Sequence, residues 1–216
     1  MPTPAPLTKL GGVGAAIQAW VVDLERVRGL YASRDEAMLA RLDAPTHRYT
    51  GSLLRADEPG RARDEMRCAV TEILKGSSCE LLPTQRYHYA AEAICHELRV
   101  PLELERDLSL SGIDQLSDAL SSEHCRALER CLPYDVTWFM PLPESEGYPF
   151  VGWVERGEVA ARLEDCARLR SALDALRARS AEARDVLDNY GDPVDHLERV
   201  YRAAAGAGLD VVVFVQ

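Results

Sequence analysis

Basic side chains are short in supply: 25 Lys and Arg stand against 35 Asp and Glu in 216 residues, a formal charge of −10. Non-specific affinity for nucleic acid comes mainly from Lys and Arg displacing counterions from phosphates, so this balance speaks against a nucleic-acid partner. Cysteine is sparse and unpatterned: Cys68, Cys79, Cys95, Cys125, Cys131 and Cys166 include no Cys-x-x-Cys pair. That excludes a disulfide scaffold and points to reduced thiols in the cytoplasm. No apolar run reaches the roughly 20 residues that a membrane-spanning helix needs. The longest candidate, Val13–Val22, is interrupted by Gln18 and has no small-residue cleavage site after it, so it reads as a buried strand and not as a signal segment. Catalytic signatures are missing too, with no nucleophile elbow, kinase loop or His-Glu-x-x-His among these residues.

What is present is an ordinary globular balance, 47% hydrophobic and 28% charged. Residues 1–12, rich in Pro, Thr and Gly, read as a flexible tail, and 13–216 as a single domain. Val13–Val22 is nearly continuous in apolar character and predicts a strand covered on both faces. Asp23 N-caps a short helix through Leu30, and Ser33-Arg34-Asp35-Glu36 reads as a capping box opening another. Asp43–Gly60 lacks periodicity and predicts a loop. Met66, Val70, Ile73 and Leu74 recur at helical spacing after Pro59, with Gly76 as C-cap. A central helix runs from Pro83-Thr84 to Leu98, its core face being Tyr87, Ala91, Ile94, Cys95 and Leu98. Helices over Gly112–Leu120 and Ser122–Leu132 precede two short strands, Asp135–Met140 and Phe150–Val154. The stripe Val159, Leu163, Cys166, Leu169, Leu173 and Leu176 predicts a long amphipathic helix with an Arg/Asp/Glu outer face. A shorter helix follows over Ala181–Leu187. Another helix runs from Pro193 to Ala205, broken by Gly206 and Gly208, before the very apolar strand Leu209–Val215. The fold expected is therefore α+β, predominantly helical, around a small mixed sheet that pairs the N- and C-terminal strands.

Four stretches carry a resemblance: Ala19–Leu24 running into Ser33–Glu36, then Tyr87–Leu98, Pro141–Val159 and Leu197–Val215. In order and pattern they are similar to the YfbM-like group of uncharacterised bacterial proteins. The resemblance implies a compact α+β domain. It supplies no activity, and no catalytic residue is carried over from it.

Four constellations could carry chemistry. Gly11-Gly12-Val13-Gly14 precedes a strand where a phosphate loop follows one, so it is set aside as a nucleotide site. His88, Glu92 and His96 lie at i, i+4 and i+8, but each step turns the face by about 40°, and the set reads as a solvated face, not a metal site. Cys79, in the Gly76–Cys79 turn, reads as the most exposed thiol, while Cys95 and His96 point about 100° apart and form no dyad. Around a Pro-rich loop over Pro141–Pro149 gather Tyr134, Trp138, Tyr148, Phe150 and Trp153 with Glu144, Glu146 and Glu155. Aromatics offer contact area with few rotamers to freeze, and acidic neighbours select a basic partner; the competing reading, which the alternation of a strand favours, makes Trp138, Phe150 and Trp153 core residues and leaves the glutamates only to solvate the loop.

Two readings follow. The first is a bacterial cytoplasmic, non-enzymatic, acidic binding or regulatory module of the immunity type, engaging a basic protein partner through charge complementarity. The second is an enzyme acting on a small ligand in a cleft lined by Tyr87, Glu92, Trp153 and Glu155, with glutamate as acid or base. The sequence leans toward the first. No catalytic residue, metal or cofactor is assigned, no membrane association is expected, and the sequence leaves the oligomeric state open.

Overall fold

The strongest local signals in the chain become its helix ends and its buried strands. The computed structural model describes residues 16–43, 59–77, 79–102, 108–133, 139–143, 150–181, 184–185, 188 and 193–215. In chain order the described elements are β1 (Ala16–Val22), α1 (Leu24–Gly29), α2 (Glu36–Leu42), α3 (Pro59–Lys75), α4 (Thr84–Leu98), β2 (Leu108–Ser109), α5 (Leu110–Ala119), α6 (Ser122–Cys131), β3 (Phe150–Val154), α7 (Val159–Arg179), α8 (Pro193–Ala207) and β4 (Asp210–Val215). This is the expected α+β fold, mostly helical around a small sheet. Among the described residues no helix is long and apolar enough to cross a membrane.

The chain divides into two units, one within residues 1–21, 100–135 and 150–216, the other within 22–99 and 136–149. The first holds the sheet, in the order β2-β1-β4-β3, so the strands from the two ends of the chain are neighbours as expected. β4 is buried at every position because its sequence, Asp-Val-Val-Val-Phe-Val, is apolar on both faces. β3 pairs antiparallel with it, from Phe150 opposite Val215 to Val154 opposite Val211. Trp20 of β1 packs on Phe214 with ring centroids 5.0 Å apart. The one charged residue in β4, Asp210, is held at the strand's start by the Arg156 backbone N–H (2.8 Å) and guanidinium (3.1 Å). The other edge strand differs from expectation. It is the two-residue β2, antiparallel to β1 with Ala16 opposite Ser109, and two residues are too few to show a period of two. Phe139 and Met140, placed in a strand by the sequence reading, lie in a bend, and the rest of that proposed strand lies outside the described residues.

In the same unit α7 contacts both α6 and α8. Its stripe is buried at Val159, Cys166, Leu169 and Leu173 and only partly so at Leu163 and Leu176, while Asp165, assigned by pattern to the outer face, is 1% exposed. Tyr201 of α8 donates its hydroxyl to the Cys131 carbonyl at 2.7 Å, satisfying an acceptor that the end of α6 leaves open. α8 also runs through Gly206, expected to break it, and the chain turns instead at Gly208, whose φ of +66° is the left-handed conformation of a helix stop.

The second unit is built of α1 to α4. The Asp23 carboxylate caps α1 by accepting from the Glu25 and Arg26 N–H groups. The cap of α2 is Asp35, not Ser33: Asp35 accepts from the Met38 N–H at 2.9 Å, while Ser33 accepts from Asp35 N. Ala32 and Arg34, both at positive φ, direct their N–H groups to the Ile73 and Leu74 carbonyls at the end of α3. Gly76 makes this approach possible, since a Cβ there would lie 2.6 Å from the Ala32 Cβ. The Ala181–Leu187 helix and the Asp43–Gly60 loop fall mostly outside the described residues.

Candidate functional site

The four residues the sequence singled out divide between the units. Tyr87 and Glu92 belong to the second, on α4, and both are 0% exposed. Trp153 and Glu155 belong to the first: Trp153, in β3, is half-buried opposite Val212, and Glu155 is exposed just past the strand.

Around Tyr87 the polar groups are turned inward. Its hydroxyl donates to the Glu72 carboxylate of α3 and accepts the Leu82 N–H at 3.0 Å. Burial, reinforced by the bond to Glu72, pushes the phenol up to about 12, so it remains a donor at neutral pH. His88 is 1% exposed and donates from Nε2 to the Pro143 carbonyl at 2.8 Å, and burial lowers its pKa against the opposing pull of that bond. The solvated face assigned to His88 and Glu92 is therefore a buried one. The reason is tertiary: α4 is touched by α1, α2 and α3, and the Pro143 carbonyl lies against His88, so more than a single stripe of it is covered.

The thiols follow the same logic. All six cysteines are free, and Cys79, expected to be exposed, is buried at 3% in a left-handed turn. Burial and then the Glu72 charge raise its thiol to about 11. Cys95 is likewise raised, by burial and Glu92. Cys131 and Cys166 meet across α6 and α7 with sulfurs 3.7 Å apart, and their mutual hydrogen bond and burial keep Cys131 protonated. Only Cys68 and Cys125 are partly open to solvent. Titration of the native protein with an aromatic disulfide reagent at about pH 8 is therefore expected to release no more than two equivalents, one of them slowly, with all six appearing in denaturant. Rapid release of a third equivalent from the folded protein would contradict the burial of the other four.

The surface feature that periodicity did not find lies on α5 and α6. Helix α5 contains no basic residue, and its two carboxylates, Asp114 and Asp118, are spaced i, i+4 on one face. Burial and then the Asp118 charge raise the Asp114 carboxyl, whose Oδ1 is enclosed without a hydrogen-bond partner among the described residues. Glu129 of α6 joins them: Cys125, which donates to the Ser117 carbonyl at 3.1 Å, is raised by burial and then by Glu129 and Asp118. Among the described residues no Lys or Arg forms an ion pair with any of the three acids. Like charges held together in this way repel, and a cation brought from outside relieves the repulsion. The signal in the sequence was the absence of a base four residues after either aspartate.

The opposite arrangement occurs on the α6–α7 side. Arg130 grips buried Asp165 with Nε at 2.9 Å and Nη2 at 2.7 Å, Arg162 reaches it at 3.1 Å, and Arg168 also donates to it. Their charges hold the Asp165 carboxyl well below the usual carboxylate range, with the Arg130 hydrogen bonds first among the causes. No group of His, Cys, Asp and Glu among the described residues is arranged to hold a metal ion.

Comparison with known proteins yields one assignment. No curated protein and no solved structure matches the chain. The match found does not extend to the YfbM-like group suggested by order and pattern. A family model covers residues 13–216, and the chain belongs to that family, the domain of unknown function DUF7691.

Proposed function

We propose that the protein is a non-enzymatic binding module that takes a basic protein partner, with Asp114, Asp118 and Glu129 as the contact. The observation that carries this reading is the set of three carboxylates without basic partners among the described residues, in a chain of net charge −10. Lysine or arginine side chains of a partner would remove a repulsion that the free protein sustains, and the wider negative field would speed encounter. Six free cysteines suit a reducing compartment, which supports placing this binding or regulatory role, of the immunity type, in the bacterial cytoplasm. The likeness to the YfbM-like group adds nothing to this beyond an α+β domain. The alternative, an enzyme using Tyr87, Glu92, Trp153 and Glu155, requires a substrate to reach two side chains that are 0% exposed.

The test is affinity capture on the full chain at low salt, followed by calorimetry with the purified captured protein at two salt concentrations. Binding should weaken as salt rises, because the Debye length is about 10 Å at 0.1 M and shrinks beyond that. It should weaken further with the triple variant Asp114→Asn, Asp118→Asn, Glu129→Gln. Undiminished binding by that variant, or salt-independent binding, would overturn the reading. A second consequence needs no partner. Asp114 has a raised folded pKa, so its ionisation costs stability as pH rises above its unfolded value of about 3.9. Asp114→Asn is expected to gain about 0.5–1 kcal/mol at pH 7, a rise of about 1–4 °C in Tm, and to lose that advantage below about pH 4. Loss of binding together with gained stability would separate a contact residue from a structural one.

A further inference from the structure

The α6–α7 groove carries the reverse charge in an otherwise acidic chain. It has a volume of about 200 Å³ and is walled by His124, Arg126, Arg130 and Arg168, with Glu123 as its one acid. Beneath it lies Asp165, 1% exposed, which engages two N–H groups of Arg130 and one terminal nitrogen of Arg168. A guanidinium has five N–H donors, so each of these arginines keeps donors to spare. Their side chains are 45% and 56% exposed, and Asp165 limits the rotamers they sample before any ligand arrives. Arg126 is held separately, donating from Nε to the Ser122 carbonyl at 3.2 Å. His124 Nδ1 is held by the Ser121 hydroxyl at 2.7 Å, which fixes the ring at the groove wall.

We infer that this groove is an anion site for a small phosphate-bearing ligand, bound by Arg126, Arg130 and Arg168 with Asp165 as the residue that positions the last two. Three arginines from two helices offer more donors than one planar carboxylate can accept, and the three oxygens and double charge of a phosphate dianion suit that number better. Pre-ordered side chains lower the entropy lost on binding. The volume admits a phosphate with a small organic substituent. This site is distinct from the acidic surface on α5 and α6 and does not depend on it.

The experiment titrates the purified full chain with inorganic phosphate, O-phosphoserine and acetate, each against chloride at matched ionic strength, by calorimetry and thermal unfolding. Saturable binding of either phosphate-bearing probe is expected, and a preference for O-phosphoserine over inorganic phosphate would identify an ester as the better-fitting form. Arg126→Ala, which leaves the Asp165 network intact, should weaken binding by about tenfold, and so should Arg168→Gln. Equal thermal shifts with chloride, a preference for acetate, or wild-type affinity in both arginine variants would each overturn the inference.

Discussion

Replacing Asp165 with alanine is expected to cost about 2–4 kcal/mol of folding stability, a fall of roughly 4–15 °C in Tm for a chain of this length. The carboxylate is 1% exposed and accepts from Arg130, Arg162 and Arg168. Without it, Arg130 and Arg168 lose the carboxylate they share at the α6–α7 interface, and Arg162 keeps, among the described residues, only Glu158, 3.7 Å away. Breaking a fully buried ion pair costs about 3–5 kcal/mol, and the lower figure here reflects the exposure of Arg130 and Arg168, which water screens in part. Because the folded pKa of Asp165 is depressed, its contribution is complete above the unfolded value of about 3.9 and is lost as pH falls through that value toward the folded one. Urea midpoints of the natural chain and Asp165→Asn should therefore differ by a constant amount near neutrality and converge below about pH 4. A difference that stays constant down to pH 3 would show that the charge of Asp165 is not what stabilises the interface.

Tyr87→Phe should destabilise the protein by about 2–4 kcal/mol, more than the loss of one hydroxyl from a surface would suggest. The phenol is 0% exposed and serves two groups at once, the Glu72 carboxylate, itself 8% exposed, and the Leu82 N–H. Phenylalanine fills the same space and leaves both unsatisfied, so nearly the whole cost is that of stranded polar groups. Glu72→Gln keeps an acceptor for the phenol and should cost less. A double-mutant cycle between the two is expected to give a coupling of about 1–3 kcal/mol, and additivity within about 0.5 kcal/mol would show that the Tyr87–Glu72 hydrogen bond carries no energy of its own. The effect has a pH window. With the folded phenol pushed up to about 12 from an ordinary value near 10, its contribution holds through neutral pH and is lost between those two values as the solution becomes alkaline.

Much of the architecture can be read from residues that signal locally. Asp23 before Leu24, Gly76 after Lys75 and Pro83 before Thr84 each mark a helix end through their own side chain or backbone preference, and the ends fall there. The apolar run of β4 needs cover on both faces wherever it is placed, so a central position in a sheet was implied by composition, and β1, mostly buried, is its neighbour. The Asp35 cap shows the limit of this kind of signal. Ser33 and Asp35 both suit a cap, and the choice between them depends on where the 32–34 turn is pinned against the end of α3.

The candidate sites were less legible, because pattern reports which residues of one helix share a face and not what that face meets. Asp165 sits among arginines in the sequence and reads as solvated, yet Arg130, 35 positions away, arrives with α6 and closes over it. His88 and Glu92 read as the wet side of α4, yet both are buried, His88 against the Pro143 carbonyl 55 positions away. Cys79 looks exposed in a Gly-Ser turn, until packing beside Glu72 buries it. Composition, caps and apolar runs act within a few residues of the chain, so they determine helix ends, fold class and net charge without reference to the rest. Burial, proton affinity and the separation of an acidic face on α5–α6 from a cationic groove on α6–α7 depend on contacts between residues far apart in sequence, and only the packed chain supplies the desolvation and neighbouring charges that create them.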